Sequence, residues 1–421
     1  MSRTKEIQSL HSVQQAERAI LAAVGPDRDM EELRLLAESA GIEVVGEFIQ
    51  RRAEPNPNSY LGQGKAQELL VEIENRGATM VITDDDLTPI QQKNLEEAVG
   101  VEVLDRTQLI LRIFAERAHT REGKLQVELA QLTYTLPRLI GHGQELSRLG
   151  GGLGMRGGPG ETKLEADRRR IRKRIDELEA ELEEVRRHRE QARKSRRRLP
   201  FPTAALVGYT SAGKSTLLNA LSGSEVTTDE KLFATLDPTT RRVLLPHGWG
   251  ILITDTVGFI QRLPHHLVAA FRATLEEVTE ADILIHVVDA SHPRRKEQME
   301  AVADVLEELG AANKPIVTAL NKCDKLTNTY DLRYEVATRP DTVYISALKR
   351  EGLQELLLTV ENVVQKLLVP VRAAIPYHMS HLLPICHESG RVERVEYGRE
   401  TILIEGRFTR DVANRLRDYQ V

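Results

Sequence analysis

The sequence predicts a multidomain α/β protein in four parts. These are a small N-terminal parallel α/β domain over 1–104, a long antiparallel helical hairpin over 105–199, an α/β domain around a phosphate-binding loop over 200–369, and a small α+β domain over 371–421. Three observations carry this reading. Short β-rich apolar runs alternate with amphipathic segments up to about residue 104, the pattern of a parallel sheet with helices on its faces. The apolar period then turns helical as far as residue 198. After that, a strand-like run enters Gly208-Tyr209-Thr210-Ser211-Ala212-Gly213-Lys214-Ser215-Thr216, whose glycines and lysine are spaced to cradle phosphate. A chain of 421 residues has room for about three cores at roughly 150 residues each.

In the first part, AILAAV, IEVVGEFIQ, TMVITD and VEVL read as strands. EELRLLAESAG, KAQELLVEIENRG and a stretch ending near Gly100 read as helices. Gly41, Gly77 and Gly100 stand where left-handed helix C-caps belong. The turn cluster AEPNPNSYLGQG is too long for a tight connection and is a candidate functional loop.

In the second part, Leu125, Leu129, Leu132, Leu136 and Leu139 recur at spacings of four and three, and proline ends this helix near Pro137. Leu164, Ile171, Ile175, Leu178, Leu182 and Val185 then form a heptad seam with Arg168 in its one polar slot. Thr162 and Glu165 make a capping box for that second helix. The connecting loop 141–160 contains nine of the chain's 28 glycines and carries Arg148 and Arg156 against Glu145. A flexible linker would share that composition, but two helices need only about two to eight residues to join them. Glycines permit close approach and arginines bind phosphate, so an RNA-probing tip is the sharper reading. Residues 163–198 hold 15 Lys/Arg and nine Asp/Glu, a net +6, with acids in the middle third and unpaired basic clusters at the two ends. Those clusters favour an anionic partner.

The third part carries the chemistry. Backbone N–H groups of the glycine loop can wrap a β-phosphate, Lys214 can reach β/γ oxygens, and the Ser215 hydroxyl can bind Mg²⁺. The strand GILIT delivers Asp255-Thr256-Val257-Gly258. There the acid can hold Mg²⁺ through water and the Gly258 N–H can sense a γ-phosphate. The strand PIVTAL ends in Asn321-Lys322-Cys323-Asp324. Asn321 and Asp324 are expected to select guanine, the Asp324 carboxylate matching the N1–H and N2–H₂ donors that adenine lacks. After TVYI, backbone N–H groups of Ser346-Ala347-Leu348 can reach guanine O6.

GYTSAGKS, DTVGF, NKCD and SAL, in this order, resemble the G1, G3, G4 and G5 motifs of translation-factor-class GTPases. More narrowly, LFATLDPTTR (232–241), DTVGFIQRLPHHLV (255–268) and GGGLGMRGGPGETKLEADRR (150–169) resemble signatures of the HflX family. The resemblance implies a cytoplasmic, Mg²⁺-dependent P-loop GTPase that docks on the large ribosomal subunit. It implies splitting of stalled or idle ribosomes, with loop 141–160 and the basic helix 163–198 placed near the peptidyl transferase centre. It also makes Thr235 the switch I threonine that meets Mg²⁺ and the γ-phosphate, with Phe233, Ala234, Leu236 and Asp237 closing over the nucleotide. By chemistry alone Thr239 or Thr240 would serve as well. The metal set is then Ser215, Thr235 and Asp255, and the catalytic set Lys214, Thr235 and Gly258.

Two departures from common GTPase patterns shape the mechanism. Phe259 stands where many GTPases carry a water-orienting Gln, and an apolar ring cannot polarise water, so intrinsic turnover should be slow and await a partner, which the resemblance implies is the ribosome. Ser211 stands where the family usually has Asn, which argues against potassium activation.

In the fourth part, RVERVEY and ETILIEGRF form a hairpin around Gly398, followed by a helix-like TRDVANRLRDY. His378, His381, Cys386 and His387 do not suggest a metal centre, because Pro384 should interrupt any shared helix face. His265 and His266 read as polar loop residues. Two cysteines exclude a disulfide framework, and an aromatic content of 4% argues against base stacking as the main mode of RNA contact. No apolar run approaches the roughly 18 residues of a membrane span, and the first residues show no signal-peptide pattern. The expectation is a cytoplasmic monomer. Two rivals to ribosome splitting remain: a GTPase assisting ribosome assembly, and a nucleotide-sensing RNA-binding module with incidental turnover.

Overall fold

The computed structural model describes residues 17–26, 28–139, 163–196, 201–223, 232, 233, 235, 237–260, 272–326 and 330–421. Loop 141–160, the Thr162 cap, Ala234, Leu236, His265 and His266 lie outside the described residues. The chain divides into two compact units. One holds the described residues to Ile113 together with 137–139, and the other holds Phe114–Leu136 and the described residues from 163 onward.

The first unit is built on β1 (Arg18–Val24), α1 (Glu31–Ser39), β2 (Glu43–Gln50), α2 (Gln63–Arg76), β3 (Met80–Thr83), α3 (Pro89–Val99) and β4 (Glu102–Leu104). Its strands are all parallel, in the order β2-β1-β3-β4. Gly77 and Gly100 cap α2 and α3 in the left-handed conformation. The start of α3 is a capping box, Thr88 with Gln91, and Pro89 sits where a missing N–H is harmless. The long turn cluster is packed: Tyr60 and Leu61 are buried, and the Tyr60 hydroxyl donates to Asp85 Oδ2 at 2.9 Å.

The helical stretch resolves into α4 (Arg106–Arg117), α5 (Arg121–Arg138) and α6 (Lys163–Arg196), with Pro137 in the last turn of α5. The break at 118–120, between α4 and α5, leaves no mark in the apolar spacing. α5 and α6 run antiparallel, since Arg121 pairs with Glu181 while Glu128, further along α5, takes a two-pronged contact from Arg174 at 2.7 and 3.0 Å. Leu178 is fully buried in their seam, and Ile171, Ile175, Leu182 and Val185 are half-buried. One expectation is corrected: the first basic cluster of α6 is not unpaired. Arg170 lies 3.6 Å from Asp167, Lys173 lies 3.8 Å from Glu177, and Arg174 is held by Glu128.

The second sheet uses β5 (Thr203–Val207), α7 (Lys214–Ser222), β6 (Thr239–Leu244), β7 (Gly250–Asp255), α8 (Arg272–Glu280), β8 (Ile283–Asp289), α9 (Arg295–Glu308), β9 (Ile316–Asn321), α10 (Tyr330–Thr338), β10 (Thr342–Tyr344) and α11 (Leu353–Gln365). The order is β10-β9-β8-β5-β7-β6, and only β6 is antiparallel. Successive residues of β5 enter opposite cores. Ala204 and Leu206 join Ile253, Ile285 and Trp249, while Ala205 and Val207 join Phe259, Leu284 and Val302. Both faces are covered, as a parallel sheet requires.

The last elements are β11 (Val369–Pro376), α12 (Leu382–Ser389), β12 (Gly390–Tyr397), β13 (Thr401–Phe408) and α13 (Arg410–Arg415). They form an antiparallel sheet in the order β11-β13-β12 over a core of Ile375, Cys386, Ile404, Phe408 and Leu416. The hairpin around Gly398 is as expected; β11 is an addition to it. Pro384 does not interrupt a helix, because it lies in the first turn of α12, where its absent N–H has no helical partner to lose. No helix among the described residues is long and apolar enough to cross a membrane.

Candidate nucleotide site

The motifs GYTSAGKS, DTVGF, NKCD and SAL follow the carboxyl ends of β5, β7, β9 and β10, the edge where open α/β folds hold their ligands. β5 runs into the loop 208–213, and two of its glycines are required by space. At Gly208 (φ +151°) a Cβ would sit 2.2 Å from the Val287 carbonyl oxygen, and at Gly213 (φ +97°) 2.3 Å from Asn321 Nδ2. Tyr209, Thr210 and Ala212 are buried in the loop, Thr216 is half-buried in α7, and Ser211 is exposed at φ +57°. The last is a conformation that asparagine tolerates better than serine.

Lys214 is buried, and its ammonium donates to the carbonyls of Gly208 at 3.1 Å and Tyr209 at 3.0 Å. Burial lowers its pKa to about 8, with Asp255 opposing. Three oxygens converge beside it. Ser215 Oγ donates to Asp255 Oδ2 at 2.6 Å, Thr235 Oγ1 donates to the same oxygen at 2.8 Å, and the two hydroxyls are 2.7 Å apart. Thr240 is elsewhere, in β6, with its hydroxyl 2.9 Å from that of Thr254. Thr239 also belongs to β6, so Thr235 is the threonine that joins the cluster.

Burial raises the Asp255 carboxyl above its usual range, against the pull of Lys214, Ser215 and Thr235. Its Oδ1, like Thr210 Oγ1, is buried without a hydrogen-bond partner. A buried anion with an orphaned oxygen and two adjacent hydroxyls is the donor set of a hard divalent cation such as Mg²⁺.

β7 continues into Thr256, whose hydroxyl donates to the Leu206 carbonyl at 2.6 Å, and buried Val257. A Cβ on Gly258 would lie 2.8 Å from Thr210 Cγ2 and 3.0 Å from Lys214 Nζ, so only glycine brings this N–H against the loop. Phe259 is knitted to the loop by backbone, its N–H donating to Gly208 O at 3.1 Å and its carbonyl accepting from Thr210 N at 2.8 Å. The ring turns away into the apolar core with Val207, Leu275 and Val278.

On the base side, Asn321 is 2% exposed and acts as a strut. Its Nδ2 donates to Ala212 O at 2.8 Å, and its Oδ1 accepts from Ala347 N at 2.9 Å. Lys322, at φ +64°, pairs with Asp289 Oδ2 at 2.7 Å. Cys323 donates its N–H to Ile345 O at 3.1 Å, and burial raises its thiol pKa. Asp324 Oδ1 accepts from Ser346 Oγ at 2.6 Å. Of the three N–H groups expected to face a base, that of Ser346 is bonded to Glu351 O and that of Ala347 to Asn321, while Leu348 is exposed.

The motif residues that are described therefore come together. Phe233 and Asp237 are the exceptions: the Phe233 ring is buried against Phe114, and the Asp237 carboxylate turns to the backbone N–H groups of His119 and Thr120, at 3.2 and 3.0 Å. Sequence reasoning missed the strut role of Asn321 and the partner of Lys322. Asp289 carries the same signal that identified Asp255, an acid at the end of a buried strand.

A phosphate loop at the head of a parallel sheet, with a cation-ready carboxylate beside it, defines the class of P-loop nucleotide-binding proteins. Three family models match the chain: GTP-binding GTPase N-terminal over 27–115, GTP-binding GTPase Middle Region over 117–196, and 50S ribosome-binding GTPase over 203–322. GTPase HflX of Caldanaerobacter subterraneus subsp. tengcongensis is 46% identical over 409 residues, covering 96% of this chain and 94% of the relative. GTPase HflX of Escherichia coli K12 is 46% identical over 335 residues, 78% of each chain. Among solved structures, a complex of SsGBP with GDP is 28% identical over 83% of this chain, with a TM-score of 0.49. The chain belongs to the HflX family of GTPases.

Proposed function

We propose that this GTPase binds the large ribosomal subunit in its GTP form and splits stalled or idle ribosomes, hydrolysing GTP to GDP and phosphate slowly alone and faster on the ribosome. The observation that carries the nucleotide chemistry is the convergence of Ser215 Oγ and Thr235 Oγ1 on Asp255 Oδ2 at 2.6 and 2.8 Å beside buried Lys214. Ser215 and Thr235 would hold Mg²⁺ directly and Asp255 through water, and an ion held there would supply positive charge to the β- and γ-phosphates. Lys214 does the same from the other side, and the Gly258 N–H meets the γ-phosphate. Asp324, braced by Ser346, reads the guanine N1–H and N2–H₂, while Asn321 holds the two loops in register.

Because the Phe259 ring is buried in the core, the chain offers no water-orienting side chain at that position. This supports a rate that waits for a partner. It equally favours the second reading, a nucleotide-sensing RNA-binding module with incidental turnover. The family match to 50S ribosome-binding GTPases and the exposed basic residues of α6 support the ribosome as that partner. Ser211, a shorter side chain with one oxygen where the family usually carries Asn, supports little response to potassium.

The test mixes the protein with intact ribosomes and GTP or a non-hydrolysable analogue, following light scattering and phosphate release. Subunit release with stimulated hydrolysis is expected. Stimulation without release would favour an assembly role, and neither would leave only the sensing module.

A further inference from the structure

Thr235 stands between two residues that are each fixed to the same place. Two positions before it, Phe233 adopts φ +56°, a left-handed conformation that is unfavourable for an aromatic residue. Its buried ring packs edge-on against Phe114 of α4, with centroids 4.7 Å apart and planes at 73°. Two positions after it, Asp237 accepts from the backbone N–H of His119 and of Thr120 with Oδ2, and from the Thr120 hydroxyl with Oδ1. Thr120 is itself the cap of α5, its Oγ1 accepting from Gly123 N at 3.0 Å. The fit is close enough that a Cβ on Gly123 would lie 2.8 Å from Asp237 Oδ1. The α4–α5 corner thus holds both flanks of the threonine that reaches the Ser215–Asp255 cluster.

From this geometry we propose that Asp237 is a positioning residue for GTP hydrolysis: through Thr120 it holds Thr235 on the metal cluster. The proposal rests on the reading of Thr235 as a Mg²⁺ ligand and goes beyond it, because it makes the cap of α5 part of the GTP-specific state. A carboxylate that accepts three hydrogen bonds is a firm anchor, since charge-assisted bonds are shorter and stronger than neutral ones. GDP needs no γ-phosphate contact from Thr235, so its binding should not depend on the anchor.

The test compares Asp237→Ala, Thr120→Val, Thr120→Ser and Gly123→Ala, with Thr235→Ala as the reference, in the full chain. Fluorescent GDP and non-hydrolysable GTP affinities, single-turnover hydrolysis and the Mg²⁺ concentration for half-maximal rate are measured for each. Asp237→Ala and Thr120→Val should each raise the Mg²⁺ requirement and slow hydrolysis by about tenfold, with GDP affinity unchanged. Thr120→Ser should restore the wild-type values. Gly123→Ala, which improves helix propensity and touches no nucleotide atom, should show the same GTP-specific loss.

Combined with Thr235→Ala, none of the three should add to its effect. If GDP affinity falls in parallel, or losses add to those of Thr235→Ala, Asp237 is only structural and the proposal is overturned. If Thr235→Ala leaves the Mg²⁺ requirement unchanged, the ligand reading fails first, and any residual Asp237 effect cannot run through Thr235.

Discussion

Asp324 holds one carboxylate oxygen against Ser346 Oγ at 2.6 Å, which fixes the plane of the carboxylate proposed to read guanine. Replacing it by Asn exchanges an acceptor for a donor, so Asp324→Asn should lose guanine nucleotide affinity by about 1.5–3 kcal/mol and gain xanthine nucleotide affinity. Competition binding with GDP and XDP checks this. At Phe259 the common GTPase side chain cannot simply be restored. Because the ring is core, Phe259→Gln should bury an amide and destabilise the fold by about 2–4 kcal/mol in urea unfolding, without raising the hydrolysis rate.

His286, on β8, is a third residue whose setting decides its behaviour. Burial, with Lys214 adding to it, lowers its pKa from 6.5 to about 4. Between those values the unfolded chain binds the proton and the folded chain does not, so stability rises with pH across that window and is lost as pH falls. The loss approaches about 1.4 kcal/mol per pH unit. Urea midpoints at pH 7 and pH 5 should converge in His286→Gln relative to wild type.

At the scale of elements, what is legible in the sequence follows local rules. β5, β7, β8 and β9 are apolar runs ending in a glycine, an acid or an amide, and their motifs can be placed from those endings. β6 escapes because Thr-Thr-Arg-Arg carries no apolar pattern, as suits an antiparallel edge. β11 escapes because Pro370 and Pro376 read as loop, although an edge strand tolerates them. The α4–α5 break has a non-local cause: no glycine or proline marks 118–120, and the partner of the His119 and Thr120 N–H groups, Asp237, lies 118 and 117 residues away.

α6 makes its own prediction. Arg170 and Arg172 are exposed, whereas Arg174 is engaged by Glu128. Neutralising Arg170 and Arg172 should therefore flatten the log–log salt dependence of ribosome binding by roughly 0.7–0.9 for each phosphate they no longer neutralise. Arg174→Gln should instead loosen the hairpin.

For the whole molecule, the net charge of −5 conceals its distribution, since 163–198 carries +6 and the remainder is acidic. A basic segment in an otherwise acidic chain favours one docking orientation on an anionic partner. Deleting 143–158 should abolish ribosome splitting while GDP affinity holds, as light scattering and nucleotide titration would report. Splitting that survives the deletion would remove the loop from the mechanism.

The Asn321 strut has a further consequence. One carboxamide sets the span between the phosphate loop, at Ala212, and the base loop, at Ala347. The protein is thus a bivalent receptor of fixed gauge, and a nucleotide gains by chelation what its halves lack. Guanosine and pyrophosphate should each bind far more weakly than GDP. Asn321→Ala should bring GDP down toward the affinities of those halves.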